Sequence, residues 1–300
     1  MMAMFSLMTL GKQPPRRQQK VGTAETQTLI VSAKRYLYSK VGWREGLIDS
    51  RRYQGLRGFI CLFKESAKLR RNRWRFKAVA DPDNVIWVRP NDVVYKLNYD
   101  LDITFNDVLS GDWDLTRRAK LEGAQKHRSV YERFVRGLSW TDTDLFRSIY
   151  ARRIADGAEI RGVRSIDDLA KKYSKQIDRL FEDMRQNGFV VKLDIHGYPK
   201  NLPHIHIGRN GELLFGNNGN HRLAMAKILG LERIPCRVRA RHLLWQRTRD
   251  KVAEHLKSRP SVPLEPSLAA HPDLADIFGK RTEPSPPTSV SRAPAAKVHH

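Results

Sequence analysis

The chain has 300 residues, 40% of them hydrophobic and 29% charged, enough apolar material for a core and too much for a globally disordered protein. Lys and Arg number 55 against 32 Asp and Glu, a formal net charge of +23, so the expected partner is a polyanion, a nucleotide or nucleic acid before an acidic membrane surface. No apolar run reaches the roughly 18 residues that a membrane-spanning helix needs, and the two cysteines, Cys61 and Cys236, lack metal-type neighbours, which points to a reducing, cytoplasmic compartment.

The first stretch, MMAMFSLMTLGKQPPRRQQK, places its apolar residues before its positive charges. A signal peptide has the opposite order, so residues 1–28 are expected to form a disordered leader. A basic N-terminal region, 29–80, follows. Its end, FICLFKESAKLRRNRWRFKAVA, gathers Lys64, Lys68, Arg70, Arg71, Arg73, Arg75 and Lys77 around Trp74 and Phe76. Cations for phosphates and rings for base stacking would make Lys68, Arg70, Arg71, Arg73, Trp74, Arg75 and Lys77 a nucleic-acid face. A basic amphipathic helix with Trp74 and Phe76 in the core is the competing reading.

From 81 to 100 the chain reads as extended, with a turn at Asp81-Pro82-Asp83, the β-branched and aromatic run VIWV, a stop at Pro90 and a short strand in NDVVYKLN. In VLSGDWD, Asp112 and Asp114 are either acid–base or metal residues or caps for a helix in LTRRAKLEGA. Residues from about 115 to 187 carry helical periodicity in VYERFVRGL, TDLFRSIYARRIADGA and SIDDLAKKYSKQIDRLFEDMRQNGF. Ser165 followed by Asp168 predicts an N-cap, and Asn187-Gly188 predicts the stop. VVKLDI, HIHI and ELLFG then read as short strands, with Asn210-Gly211 turning a hairpin. A strand is expected in RIPCRVRARHLL and a short helix in HPDLADIFG. The region 251–300 is expected to be a Pro/Ser-rich, mostly disordered tail.

The densest turn chemistry lies in GNNGNHRLAMAKILGLERIP, residues 216–235. A strand ends at Gly216, and Asn217-Asn218-Gly219-Asn220 leads straight into a helix. The first turn of a helix leaves backbone amides unpaired and carries partial positive charge. Glycine lets that backbone approach a ligand, Arg222 supplies a planar fork for phosphate, and His221 supplies a donor or a proton shuttle. An arginine in the first turn also opposes the helix dipole, a conflict that a bound anion would remove. Gly219, Asn220, His221 and Arg222 are therefore the candidate phosphate-binding residues, with His221 the candidate catalytic acid or base. A plain strand–turn–helix connection is the competing reading.

This segment resembles the ParB/sulfiredoxin superfamily, whose members carry a strand, a Gly-x-x-Arg box, a helix and a further strand. Here the box is Gly219-Asn220-His221-Arg222, and the similarity is concentrated in residues 211–238. LFEDMRQNGFVV and VIWVRPNDVVYKLN also resemble earlier parts of that domain. The resemblance implies an α+β fold, a small mixed sheet with flanking helices, spanning 81–250 and interrupted by a helical insertion of about 106–165. It implies a phosphate-bearing ligand at the box, such as a nucleoside triphosphate with Mg²⁺, and phosphoryl-transfer, NTPase or nuclease activity. A non-catalytic nucleic-acid-binding or adaptor protein is the alternative. Sulfiredoxin chemistry needs a cysteine where Asn220 stands. The second Glu-Asn-x-x-Arg box of the partition proteins does not follow in RARHLLWQRTRD.

The other candidates for chemistry are His204 and His206, which alternate onto one strand face and would need His221 to complete a metal site. Glu212, Asp194, His196, Asp92 and Asp112 are further candidates, the carboxylates among them as ligands for Mg²⁺.

Overall fold

A computed structural model describes residues 67, 69–81, 84–97, 106–116, 118–193, 199–259 and 261–279. The chain divides into two units, residues 1–47 and 48–300, and every described residue belongs to the second. The leader, Cys61, Lys64, Lys68, Asp194, His196 and residues 281–300 lie outside the described residues.

The architecture is mixed α/β, built on a seven-stranded mixed sheet. Its axis is β9 (Ile234–His242), which alternates only weakly because nearly every residue is buried, as in a strand covered on both faces. On one side β9 pairs in parallel with β7 (His204–Ile207). Its other side is shared end to end by two short strands. β1 (Val85–Val88) runs antiparallel along residues 234–237, and β3 (Asp107–Leu109) runs parallel along residues 240–242. Beyond β7 the sheet continues through β8 (Leu213–Phe215), β2 (Tyr95–Leu97) and β4 (Arg118–Lys120). A separate ribbon pairs β5 (Lys192–Leu193) with β6 (Pro199–Lys200).

The β7–β8 hairpin closes at Asn210-Gly211 as the sequence predicts. Gly211 has φ 91°, and a Cβ there would come within 2.7 Å of the Trp245 ring, so conformation and space both require glycine.

Helices cover the sheet. α1 (Gln125–Phe134) lies against α5 (Asn220–Ile228). α2 (Ala151–Ala155) continues a π-helical turn at Leu145–Tyr150. α3 (Ile166–Tyr173) passes through a second π turn at Ser174–Asp178 into α4 (Arg179–Asn187). Ser165 caps α3 by accepting from the Asp168 amide at 3.5 Å, and Gly188 ends α4 at φ 68°. The aromatic centre of this layer is Trp140, Phe146, Tyr150 and Tyr173, all buried and meeting edge to face at 5.0–6.0 Å.

Several expectations are corrected. LTRRAKLEGA is not a helix: residues 118–120 form β4, and only Leu121–Gly123 makes a 3₁₀ turn. Asp112 and Asp114 therefore cap nothing. The segment 106–165 is not purely a helical insertion either, because it delivers β3 and β4 to the main sheet. The short helix expected in HPDLADIFG is present, as the 3₁₀ turn Pro272–Leu274. The tail begins later than 251. α6 (Leu243–Ser258) is a sixteen-residue helix that composition hid, and Leu274 and Asp273 are fully buried against the body.

Asp273 explains that burial. Its carboxylate receives Arg241 Nε at 2.8 Å and Trp245 Nε1 at 2.8 Å, and Arg249 lies 3.4 Å away. Arg249 also pairs with Asp276 at 2.6 Å. This network ties residues 271–276 to β9 and α6.

Candidate functional site

The turn between β8 and α5 is built by its own polar groups. Asn217 has φ 64° and Gly219 φ 78°, so the chain enters α5 from two left-handed residues. Asn218 Nδ2 donates to the Leu202 carbonyl at 3.0 Å, and Asn220 Nδ2 donates to the Asn217 carbonyl at 3.0 Å. A Cβ on Gly219 would lie 2.7 Å from Pro203 Cα. The glycine is thus demanded by Pro203 and by its φ, in addition to any ligand approach. Asn220 spends its side chain holding the turn, although it also lines the cleft described next.

The first intrahelical bond of α5 runs from the Leu223 amide to the Gly219 carbonyl at 3.0 Å, and no side chain caps the helix. The amides of residues 220–222 precede that bond, which is the arrangement that attracts anions.

These residues border an open cleft of about 780 Å³. Its other walls are Lys126 at the start of α1, Arg161, the π turn with Lys175, Gln176 and Ile177, α4 with Arg179, Leu180 and Asp183, and Lys192 of β5. Among the described residues, six cations, Lys126, Arg161, Lys175, Arg179, Lys192 and Arg222, therefore face one carboxylate. That carboxylate, Asp183, is engaged by Asn187 Nδ2 at 3.0 Å and lies 3.6 Å from Lys192. Among the described residues, Lys126, Lys175, Arg179 and Arg222 have no ion pair or hydrogen bond from their charged ends. π turns recur at functional sites because they re-aim side chains within a helix. The turn at 174–178 brings Lys175, Gln176 and Ile177 to the cleft.

The electrostatics follow from crowded positive charge. Burial pulls the Arg222 guanidinium below the ordinary arginine value. His221 is lowered to about 3, by burial first and then by the charges of Arg161, Lys126 and Arg222. It is neutral at physiological pH. Among the described residues its buried Nε2 has no hydrogen-bond partner, and the Tyr173 ring meets the imidazole edge-on at 5.7 Å. His127 behaves alike, lowered to about 3 by burial and then by Lys227, His221 and Lys96.

The remaining candidates are scattered. Among the described residues no group of three or more His, Cys, Asp or Glu is placed to hold a metal. His206 is a buried strand residue and His204 a partly exposed one. His204 is bonded to Asn218 at 3.2 Å, and His206 is buried at the edge of the Trp113 ring. Asp114 is fully buried against Arg209 at 2.8 Å. Burial acts to raise it, but hydrogen bonds from the Arg209 side chain and backbone win and hold it below the usual carboxylate range. Asp112 pairs with the same arginine at 2.7 Å. Glu212 accepts from the Asn210 amide at 3.1 Å, and Asp92 is exposed in a 3₁₀ turn. None of Asp92, Asp112, Asp114 and Glu212 borders the cleft. Cys236 is a buried core thiol that burial pushes up.

The basic segment divides between the two readings. Residues 69–75 are helical, and Leu69, Asn72 and Phe76 face inward. Trp74 points out, 89% exposed, among the exposed Arg70, Arg71, Arg73 and Arg75. Lys77 pairs with Glu254 at 3.0 Å.

Sequence reasoning missed five cleft residues, Lys126, Arg161, Lys175, Arg179 and Lys192. Only Arg161 had a usable signal, the turn-forming Arg161-Gly162 pair between helical segments. No family model, curated protein or solved structure matches this chain, so the assignment of the site rests on its geometry and chemistry.

Proposed function

We propose that this protein binds the phosphate groups of a nucleotide or nucleic acid at the head of α5, as a cytoplasmic protein of ParB/sulfiredoxin type. The observation that carries the reading is the charge imbalance of the cleft: among the described residues, six cations stand against one occupied carboxylate at a helix N-terminus that no side chain caps. Unpaired cations repel one another and resist burial, and an anion removes both penalties. Arg222 offers a fork that matches phosphate oxygens, and the amides of residues 220–222 offer donors with the favourable dipole.

Binding is favoured over phosphoryl transfer. A nucleoside triphosphate with Mg²⁺ would bring a metal that needs hard oxygen ligands. Among the described residues the donor set of this cleft is a poor match for such an ion, since Asp183 is the one carboxylate there and it is already engaged. The neutral, buried His221 can donate or accept one hydrogen bond to a phosphate oxygen. Among the described residues its Nε2 lacks the hydrogen-bonded partner that would orient a general base. The nucleic-acid form of the reading draws separate support from Trp74, an exposed ring set among arginines.

The test is Arg222→Ala with a fluorescent nucleotide and with a labelled single strand. The variant should retain its circular dichroism and lose binding of the nucleotide. Unchanged affinity would reject the cleft as the site. Strand binding should weaken steeply with salt through counterion release.

A further inference from the structure

The cleft has a second guanidinium whose placement is too costly to be incidental. Between α2 and α3 the chain reverses at residues 160–163, where Ile160 and Val163 exchange backbone hydrogen bonds of 2.9 and 3.1 Å. Both central residues are left-handed, Arg161 at φ 53° and Gly162 at φ 78°. A turn of this type takes Asn, Asp or Gly at its first central position, where a long side chain is uncommon. Here an arginine sits there and is held from three sides. Lys172 Nζ donates to its carbonyl at 2.5 Å, its guanidinium lies 4.7 Å over the Tyr173 ring, and its Nη1 donates to Gln176 Oε1 at 3.4 Å. Arg161, His221 and Arg222 all line this one cleft.

The lining also limits what else the ligand can offer. Among the described residues the apolar contribution is Ile177 and Leu180, and no Phe, Tyr or Trp borders the cleft. Tyr173 is fully buried beneath Arg161 and gives no stacking surface. One phosphate dianion would leave most of the six cations uncompensated. Linked phosphates would supply charge at several points along the wall.

We infer that the cleft takes an oligophosphate chain, with Arg222 and the α5 amides holding one phosphate and Arg161 holding a neighbouring one, and that it does so without reading a base. This rests on the phosphate-binding reading above and specifies its ligand. The chain can be inorganic oligophosphate or the triphosphate of a nucleotide, and the choice of probes separates these sources.

The experiment is titration calorimetry of the full chain with inorganic phosphate, tripolyphosphate, ATP and CTP. The neighbouring phosphate, engaged by charge-assisted bonds from Arg161, should make tripolyphosphate bind at least about tenfold more tightly than phosphate. ATP and CTP should match tripolyphosphate to within about threefold, since no base contact contributes. Arg161→Gly suits the left-handed backbone and spares the turn. It should weaken tripolyphosphate about tenfold or more while changing phosphate by less than about threefold. Arg222→Ala should weaken both ligands.

Three results would overturn the inference: equal losses for phosphate and tripolyphosphate in Arg161→Gly, no loss for either, or one nucleotide exceeding tripolyphosphate about tenfold. In each of these, Arg222→Ala sensitivity would leave the phosphate-binding reading intact. If no anion binds the wild-type chain, both fail together.

Discussion

Replacing Arg222 by methionine should stabilise the ligand-free protein and disarm it at once. Arg222 is half-buried, carries no ion pair or hydrogen bond among the described residues, and is pulled down by burial. A buried charged group without a partner costs about 1–3 kcal/mol, and partial exposure to solvent reduces this to about 1 kcal/mol here. Its position in the first turn of α5 adds an unfavourable dipole interaction of about 0.3–1 kcal/mol. Methionine keeps the aliphatic stem and removes both penalties, so the gain should be about 1–2 kcal/mol. For a domain of this size each kcal/mol moves Tm by about 2–4 °C, so the variant should melt roughly 2–8 °C higher. The same change removes the fork, and loss of a charge-assisted contact of about 1.5–3 kcal/mol should weaken tripolyphosphate by roughly 10- to 150-fold. Thermal unfolding without ligand and calorimetry with tripolyphosphate read the two effects separately. A lower Tm for Arg222→Met would refute the reasoning, because it would mean that the guanidinium is satisfied by the fold itself.

Three other outcomes can be checked with the same material. Asp273→Asn leaves Arg241 and Arg249 buried with a weakened counterion; it should cost about 3–5 kcal/mol by urea unfolding, and a loss below about 1 kcal/mol would contradict the network's role. Gly219→Ala puts a Cβ against Pro203 at φ 78°; it should destabilise by about 1–3 kcal/mol and weaken phosphate binding by displacing the helix mouth, and a variant with native stability would show that the turn is slack. His127, His204 and His221 are each lowered to about 3, burial being the first cause for each. Their unfolded forms take up protons near pH 6.5 while the folded ones do not, so stability should fall as pH drops from 6.5 towards 3, by about 1.4 kcal/mol per pH unit for each group. A Tm that stays flat from pH 7 to pH 5 would overturn these assignments.

Local chemistry made some elements legible. VIWV, HIHI and ELLF alternate or run apolar between turn residues and become β1, β7 and β8. Ser165 and Gly188 mark the ends of the long helix because capping is decided within a few residues. The errors have a common source in tertiary pairing. LTRRAKLEGA has helical residues, but β2 recruits residues 118–120 as an edge strand, so sheet pairing overrides propensity. α6 was hidden because Trp245, Gln246, Arg249 and Val252 form an inward face that includes polar residues, and periodicity counts only apolar ones. Gly219, His221 and Arg222 were visible because they lie next to one another in sequence. Lys126, Arg161, Lys175, Arg179 and Lys192 come from four other segments, and each reads alone as a solvated charge.

That dispersal is also what makes the cleft informative. Elsewhere the chain pairs several arginines closely. Arg133 meets Asp178 at 2.6 Å, Arg209 meets Asp114 at 2.8 Å and Arg249 meets Asp276 at 2.6 Å. Two of those carboxylates, Asp114 and Asp178, also organise neighbouring backbone or a tryptophan N–H. The fold can therefore position acids beside guanidinium groups with good geometry. At the head of α5 it does the reverse, converging cations from separate elements with a single acid among the described residues, and holding Arg161 in a left-handed turn to do so. A surface charge excess would not need a constrained backbone or a half-buried, unpaired arginine. The cost is coherent only if the missing negative charge arrives with a ligand.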